Sequence, residues 1–201
     1  MSEPDLFSVI RTQRAHRQFT DDPLPDEVVE RVLEAATYAP SAENTQPWVF
    51  VVVRDAATRA QIGELTRRQW EGGGRDHSLP RLPPAMFEDV ERGAMGGIAG
   101  APVVVVVGGD TSRCNPTVLE ASVFPAIQNL LLAANGLGLG AALTTLTTSA
   151  RELQDLLALP DHVRPIAVVP LGHPARRLKP PRRAPVAEKT FRERYGERWS
   201  T

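Results

Sequence analysis

PSAENTQPWVFVVV, Pro40 to Val53, divides into a stiff polar loop and a strand. Trp48 to Val53 is a compact, largely β-branched run and reads as a buried strand. Pro40 and Pro47 stiffen the loop ahead of it, which presents Ser41, Asn44 and Gln46 as hydrogen-bonding groups. A rigid polar loop at the mouth of a sheet suits a planar heterocycle with many donors and acceptors. The same residues would also make a well-capped turn. Upstream, Pro25 to about Tyr38 reads as a helix: Pro25 suits a first turn, Asp26 and Glu27 sit where the helix dipole favours acids, and Val28, Val29, Val32, Leu33 and Ala36 recur at helical spacing. A shorter helix is expected from about Pro4 to Thr12.

Downstream, Ala56 to about Gln69 looks helical. Glu71 to Pro84 is rich in Gly and Pro and poor in apolar residues, so it reads as a loop, at that length either functional or disordered, and a candidate lid. A helix over Ala85 to Ile98 precedes a second buried strand, Pro102 to Val107, whose five consecutive valines leave no polar face. Val118 to Leu137 is the longest helix expected. Its apolar residues, among them Leu119, Val123, Phe124, Ile127 and Leu130 to Leu132, cover nearly the whole circumference, so it should be buried nearly all round, as at a dimer interface. Pro125 should start a kink in it. Gly136 reads as its C-cap, with Gly138 and Gly140 in a tight turn. Ala141 to Leu146 is a third strand, Ser149 and Glu152 form a capping box opening a helix to about Leu157, and Arg164 to Leu171 is a fourth strand. Helices and strands are mixed, which gives an α+β fold with a sheet flanked by helices.

The chain has 201 residues, enough for one domain with a real core. Cys114 is its only cysteine, so neither an intrachain disulfide nor a cysteine-based zinc site can form, and a cytoplasmic location fits. No signal peptide and no run of ~18 apolar residues is read, so no membrane partner is expected. His173 to Thr201 carries nine Lys/Arg against three Asp/Glu, while the remainder is acidic. In this basic tail Phe191, Tyr195 and Trp199 fall four apart, as on one face of a short helix that docks on its own body or on a partner subunit. There is no phosphate loop, HExxH helix or nucleophile elbow, and the four histidines show no ligand spacing, so no metal is expected. The glycines at 136, 138 and 140 follow a helix and open a strand, the reverse of a dinucleotide fingerprint. Arg11, Arg14 and Arg17, spaced by about three, form either a phosphate grip at a helix end or a solvated basic face.

QRAHRQF (Gln13 to Phe19), followed by an amphipathic helix and PSAENTQPWVFVVV, resembles the N-terminal signature of the nitroreductase family. FPAIQNLLLAANGLGLGAALTTL (Phe124 to Leu146) resembles the family's long dimer-core helix, glycine turn and following strand, and VRPIAVVPLGHPA (Val163 to Ala175) its last core strand. The likeness spans nearly the whole chain and is greatest to an actinobacterial-type branch.

The resemblance implies a three-layer sandwich around a central, mostly antiparallel sheet, and an obligate homodimer with two FMN sites at the interface. It implies an FMN-binding domain over residues 1–172 and a C-terminal arm over 173–201 that swaps onto the partner subunit. Carried over residue by residue, Arg14, Ala15 and Arg17 match the phosphate- and ribityl-binding positions, and Arg182 and Arg183 the tail arginines that close on the same phosphate. Pro40, Ser41, Ala42 and Asn44 match the loop laid along the partner's flavin, supported by Gln46. Thr144, Thr145 and Leu146 match the backbone beside the ring. Ala15 stands where many members have a phosphate-binding Ser, and Gln13 where some have a basic residue, which implies either lower phosphate affinity or compensation by Arg11 and His16. The implied activity is hydride transfer from transient NAD(P)H to a small electron-poor acceptor (a nitroaromatic, quinone or activated alkene), with the flavin and no side chain as the catalyst. Flavin fragmentation, dehalogenation or heterocycle oxidation on the same fold is the alternative. A non-enzymatic module contacting nucleic acid through the basic tail is disfavoured by the tail's prolines and aromatic spacing, so no nucleic-acid partner is expected.

Overall fold

The computed structural model describes residues 5–149 and 151–199. Valine-rich runs build a four-stranded antiparallel sheet in the order β1-β2-β4-β3, with β1 Trp48–Val53, β2 Val103–Asp110, β3 Gly140–Ala141 and β4 Val163–Gly172. The two-residue period of β2 splits its valines between two cores. Val103, Val105 and Val107 join Ala167, Val169 and Leu171 of β4 against two helices, α2 (Asp26–Thr37) and α6 (Pro116–Gly136). Val104, Val106 and Val168 face α3 (Ala56–Gln69) and α7 (Arg151–Leu156) through Ile62, Leu65 and Leu153. Each such buried valine removes its side chain from water, worth about 1.5–3 kcal/mol as an upper figure. The result is a three-layer α+β sandwich. α1 (Leu6–Thr12) packs on α6, and its Asp5 carboxylate caps the Ser8 amide at 3.0 Å; Pro4 lies outside the described residues.

Several expectations are corrected. Glu71 to Pro84 is mostly helical rather than a loop, with turns only over residues 79–83. A π-type turn at Trp70–Gly74 and a four-residue helix, α4 (Arg75–Ser78), follow α3 directly, and α5 (Pro84–Arg92) leads into a second π-type turn at Gly93–Gly97. Buried Trp70, Phe87 and Ala94 form a third core with Leu82, Val90 and Leu146, so packing overrides the segment's poor helix propensity. Together these pieces form a helical cap beside the sheet. The strand expected at Ala141 to Leu146 is two residues long; only Thr144 re-pairs, as an isolated bridge to Val168, and Leu146 to Ser149 form turns. Pro25 is the N-cap of α2 rather than its first residue. Gly136 is still helical, and Gly138, at φ +75°, is the residue that turns the chain into β3. The helix after Ser149 begins at Arg151; Ala150, inside the expected capping box, lies outside the described residues. The arginine triplet does not share a helix end either: α1 stops at Thr12, and Ala15 forms a parallel bridge with Ala141.

α6 is one helix running through Pro125. It is long and apolar enough to cross a membrane, but here it is the core helix beneath the sheet, with Leu119, Val123, Ile127 and Leu130 fully buried. It is not buried all round in the single chain: Ala121, Phe124 and Gln128 are exposed and Leu132 half-exposed. Leu6, Phe7, Ile10 and Tyr38 are exposed too, and Leu6, Tyr38 and Leu132 line an apolar groove of about 520 Å³ between α1, α2 and α6. The tail forms no aromatic helix. Phe191 bridges Arg198, its ring centroid lies 4.5 Å from that of Tyr195, and the Arg192 guanidinium sits 5.3 Å over Trp199. Positive φ at Glu193 and Gly196 reverses the chain, so the four-residue spacing serves a turn.

Candidate active site

A cavity of about 520 Å³ opens between the sheet and the cap, within the range typical of cofactor and substrate sites. Its walls are mostly apolar, with Trp70, Val90, Ile98, Leu143 and Leu146; His77 and Ser78 of α4 add polar groups. Ala142 to Leu146 lines one side because the chain peels from β4 after Thr144, whose amide donates to the Val168 carbonyl at 3.0 Å and whose carbonyl accepts from the Val168 amide at 2.9 Å. The Leu146 amide is 3.2 Å from Thr144 Oγ1, and among the described residues the Thr145 amide donates to nothing. Trp70 Nε1 is a buried donor without a described partner, an arrangement that costs about 1–3 kcal/mol unless a ligand satisfies it.

Arg17 is the cation of this cavity. Its Nη1 lies 2.7 Å from Asp89 Oδ2 of α5, with both side chains only 23% exposed. Arg14 points elsewhere: its Nη1 donates to the Lys179 carbonyl at 2.8 Å, tying the N-terminal segment to the tail. Between them, the His16 amide donates to the Ala141 carbonyl at 2.9 Å, so Ala15 borders the sheet edge beside the cavity. The His16 imidazole is held below the usual histidine range, chiefly by burial and then by the Arg14 charge.

One chain thus brings together Arg17, Thr144, Thr145 and Leu146. It does not bring Pro40, Ser41, Ala42 or Asn44 to the cavity wall, nor Arg182 and Arg183, which lie exposed in the tail. The loop is nonetheless pinned. Ala42 N–H donates to Ser122 Oγ (3.1 Å), Gln46 N–H to Ser41 Oγ (3.0 Å), Gln46 Nε2 to Asn44 Oδ1 (3.3 Å) and Arg113 Nε to the Thr45 carbonyl (3.0 Å). Glu43, Asn44 and Gln46 all take positive φ, a backbone strain that persists only where the surroundings over-determine it. Sequence reasoning missed Asp89 and the cap residues Trp70, His77 and Ser78. The one available signal was the buried-type Trp70 just before the Gly-rich run.

The model of the nitroreductase family matches residues 10–173. A protein of Methanothermobacter thermautotrophicus provisionally named NADH dehydrogenase/NAD(P)H nitroreductase is 33% identical over 179 residues, covering 87% of this chain and 80% of its own length. Iodotyrosine deiodinase of Haliscomenobacter hydrossis is also 33% identical, over 181 residues, covering 85% of this chain and 80% of its own. A crystal structure from Desulfovibrio desulfuricans, provisionally assigned as a nitroreductase and solved in complex with FMN, superposes with a TM-score of 0.72 at 28% identity, covering 96% and 99% of the two chains.

Proposed function

The chain belongs to the nitroreductase family, and from that premise we propose that it is an FMN-dependent oxidoreductase that passes hydride from NADH or NADPH to a small electron-poor acceptor. The acceptor is a nitroaromatic, quinone or activated alkene, and donor and acceptor use the same cavity in turn, by a ping-pong mechanism. The observation that carries this reading is the meeting of Arg17 with the Thr144–Leu146 backbone under an apolar cap in one cavity. The residues fit the cofactor. Apolar walls suit a flat ring, the unpaired Thr145 amide and Trp70 indole suit its acceptor atoms, and Arg17 suits its phosphate-bearing chain, while Arg14 is held on the Lys179 carbonyl away from the cavity wall. FMN, when bound, supplies the two-electron chemistry. The chain's own part is to orient it, favour negative charge beside the Thr144–Leu146 backbone, and exclude water through Trp70, Val90 and Ile98.

The pinned Pro40–Gln46 loop serves the other subunit of a homodimer formed through the exposed faces of α1, α2 and α6. The arm begins on its own chain, where His173 to Lys179 are held by Gln18, Thr20, Asp89 and Arg14, and beyond Lys179 it wraps that partner, bringing Arg182 and Arg183 to the phosphate. The kinship with an iodotyrosine deiodinase favours a second reading, reductive dehalogenation of a halogenated aromatic in the same site.

The test is the visible spectrum of the FMN-reconstituted, desalted protein before and after anaerobic NADPH or NADH. The expected result is a flavin spectrum that bleaches with one nucleotide and returns with a nitroaromatic or quinone. Recovery with a halophenol alone, with halide release, favours the second reading. A protein that retains no FMN contradicts both.

A further inference from the structure

Arg17 has a long side chain that would otherwise sample many rotamers, a freedom it loses when it is fixed. Here its stem lies across the Gly93–Gly97 turn. A Cβ at Gly93 would stand 2.5 Å from Arg17 Cδ and 3.1 Å from Cγ, and one at Gly97 2.1 Å from the Arg17 carbonyl oxygen, so the bare backbone of this turn is the bed on which the side chain rests. At the far end Asp89 Oδ2 takes Nη1 at 2.7 Å, while Asp89 Oδ1 lies 3.5 Å from Nη2 of Arg176, at the root of the tail. Arg17 lines the cavity and Asp89 does not. The carboxylate therefore holds the guanidinium from a residue that is not itself in the cavity wall. Two cations share one carboxylate, so the cluster keeps a net positive charge and still attracts an anionic ligand.

We infer that Asp89 is a positioning residue for FMN: it fixes the Arg17 guanidinium towards the cofactor cavity and, through Arg176, joins the helical cap and the tail to that one side chain. This rests on the FMN reading above. An ion pair present only to hold α5 down would act on folding and leave cofactor affinity to Arg17 alone.

The two roles separate in a double-mutant cycle on the FMN dissociation constant, measured by quenching of flavin fluorescence, with far-UV circular dichroism and melting as the check on folding. Asp89→Ala should weaken FMN binding roughly tenfold, the scale of a lost coupled contact. Arg17→Ala should weaken it at least as much, and the double variant no more than Arg17→Ala alone. Asp89→Asn, whose amide oxygen still accepts from Arg17 Nη1, should recover most of the loss. Asp89→Ser serves in the cycle should the alanine variant not fold. An Asp89→Ala dissociation constant unchanged from wild type, or an equal loss in the Arg17→Ala background, overturns the inference while leaving the FMN reading intact. Failure of the wild-type protein to bind FMN overturns that reading and the inference with it.

Discussion

His16 shows how one residue reports on the whole site. Its backbone joins the sheet edge through Ala141, and a Cβ on Gly140 would stand 2.8 Å from its own Cβ, so the imidazole is packed against β3. Burial is the main cause of its lowered pKa; Arg14 and Arg176 push the same way and Asp89 opposes them. The folded chain therefore holds this ring neutral more firmly than the unfolded chain does. Between the depressed native value and 6.5 the unfolded state binds more protons, and stability rises with pH across that window. The contribution is complete above about 6.5 and is lost as pH falls below it. Urea midpoints measured at about pH 7.5 and about pH 5.5 should show a drop that His16→Gln reduces. An identical drop in both proteins would place the titration elsewhere.

At the scale of elements, the cap and the N-terminal segment depend on one close approach. Gly97 stands so near the Arg17 carbonyl that a methyl group there would lie 2.1 Å from the oxygen and 3.2 Å from its carbon, both backbone atoms with no rotamer to escape into. Gly97→Ala must move the second π-type turn or the segment carrying Arg17, at a cost of about 1–3 kcal/mol, as for other overpacked sites. Chemical denaturation should show that loss together with weaker FMN retention, whereas Gly72→Ala, with nothing within 4 Å of its Cβ, should leave retention unchanged. Unchanged stability in Gly97→Ala would mean the approach is looser than it stands. The sequence could not announce this contact, because Gly93 and Gly97 matter for what crosses them from 76 or more residues away. The same limit explains the cap. Glycines and prolines between 71 and 84 report local propensity, which is poor, while the helical turns there are held by Trp70 against Phe87, ring centroids 5.7 Å apart. By contrast β1, β2, β4, α2 and α6 were legible because each carries its own period or apolar run. Arg17 and Thr144 to Leu146 were found through a resemblance of motifs, and Asp89 was not, because an acid on an amphipathic helix looks like any other solvated acid until its partner is known.

At the scale of the molecule, the single chain leaves two things unfinished. Phe7 is 65% exposed and Tyr38 80% exposed, beside an apolar groove whose floor includes Leu132 and Ala133. Contiguous apolar surface of this kind marks an interface. The pinned Pro40–Gln46 loop, strained at three residues, meanwhile stands at the end of α2 without lining the cavity of its own chain. The proposed two-fold dimer built on α1, α2 and α6 would resolve both, covering the apolar face and carrying each loop to the other subunit's cavity. Leu132→Arg would place a charge in that groove without touching the cavity. Size-exclusion chromatography with light scattering should then move the protein from twice the 21.9 kDa chain mass towards the chain mass, and FMN retention should fall in parallel, although Arg17 and the Thr144–Leu146 backbone are unchanged. A variant that becomes monomeric yet keeps full FMN affinity would show that one chain completes the site, and would remove the Pro40–Gln46 loop from it.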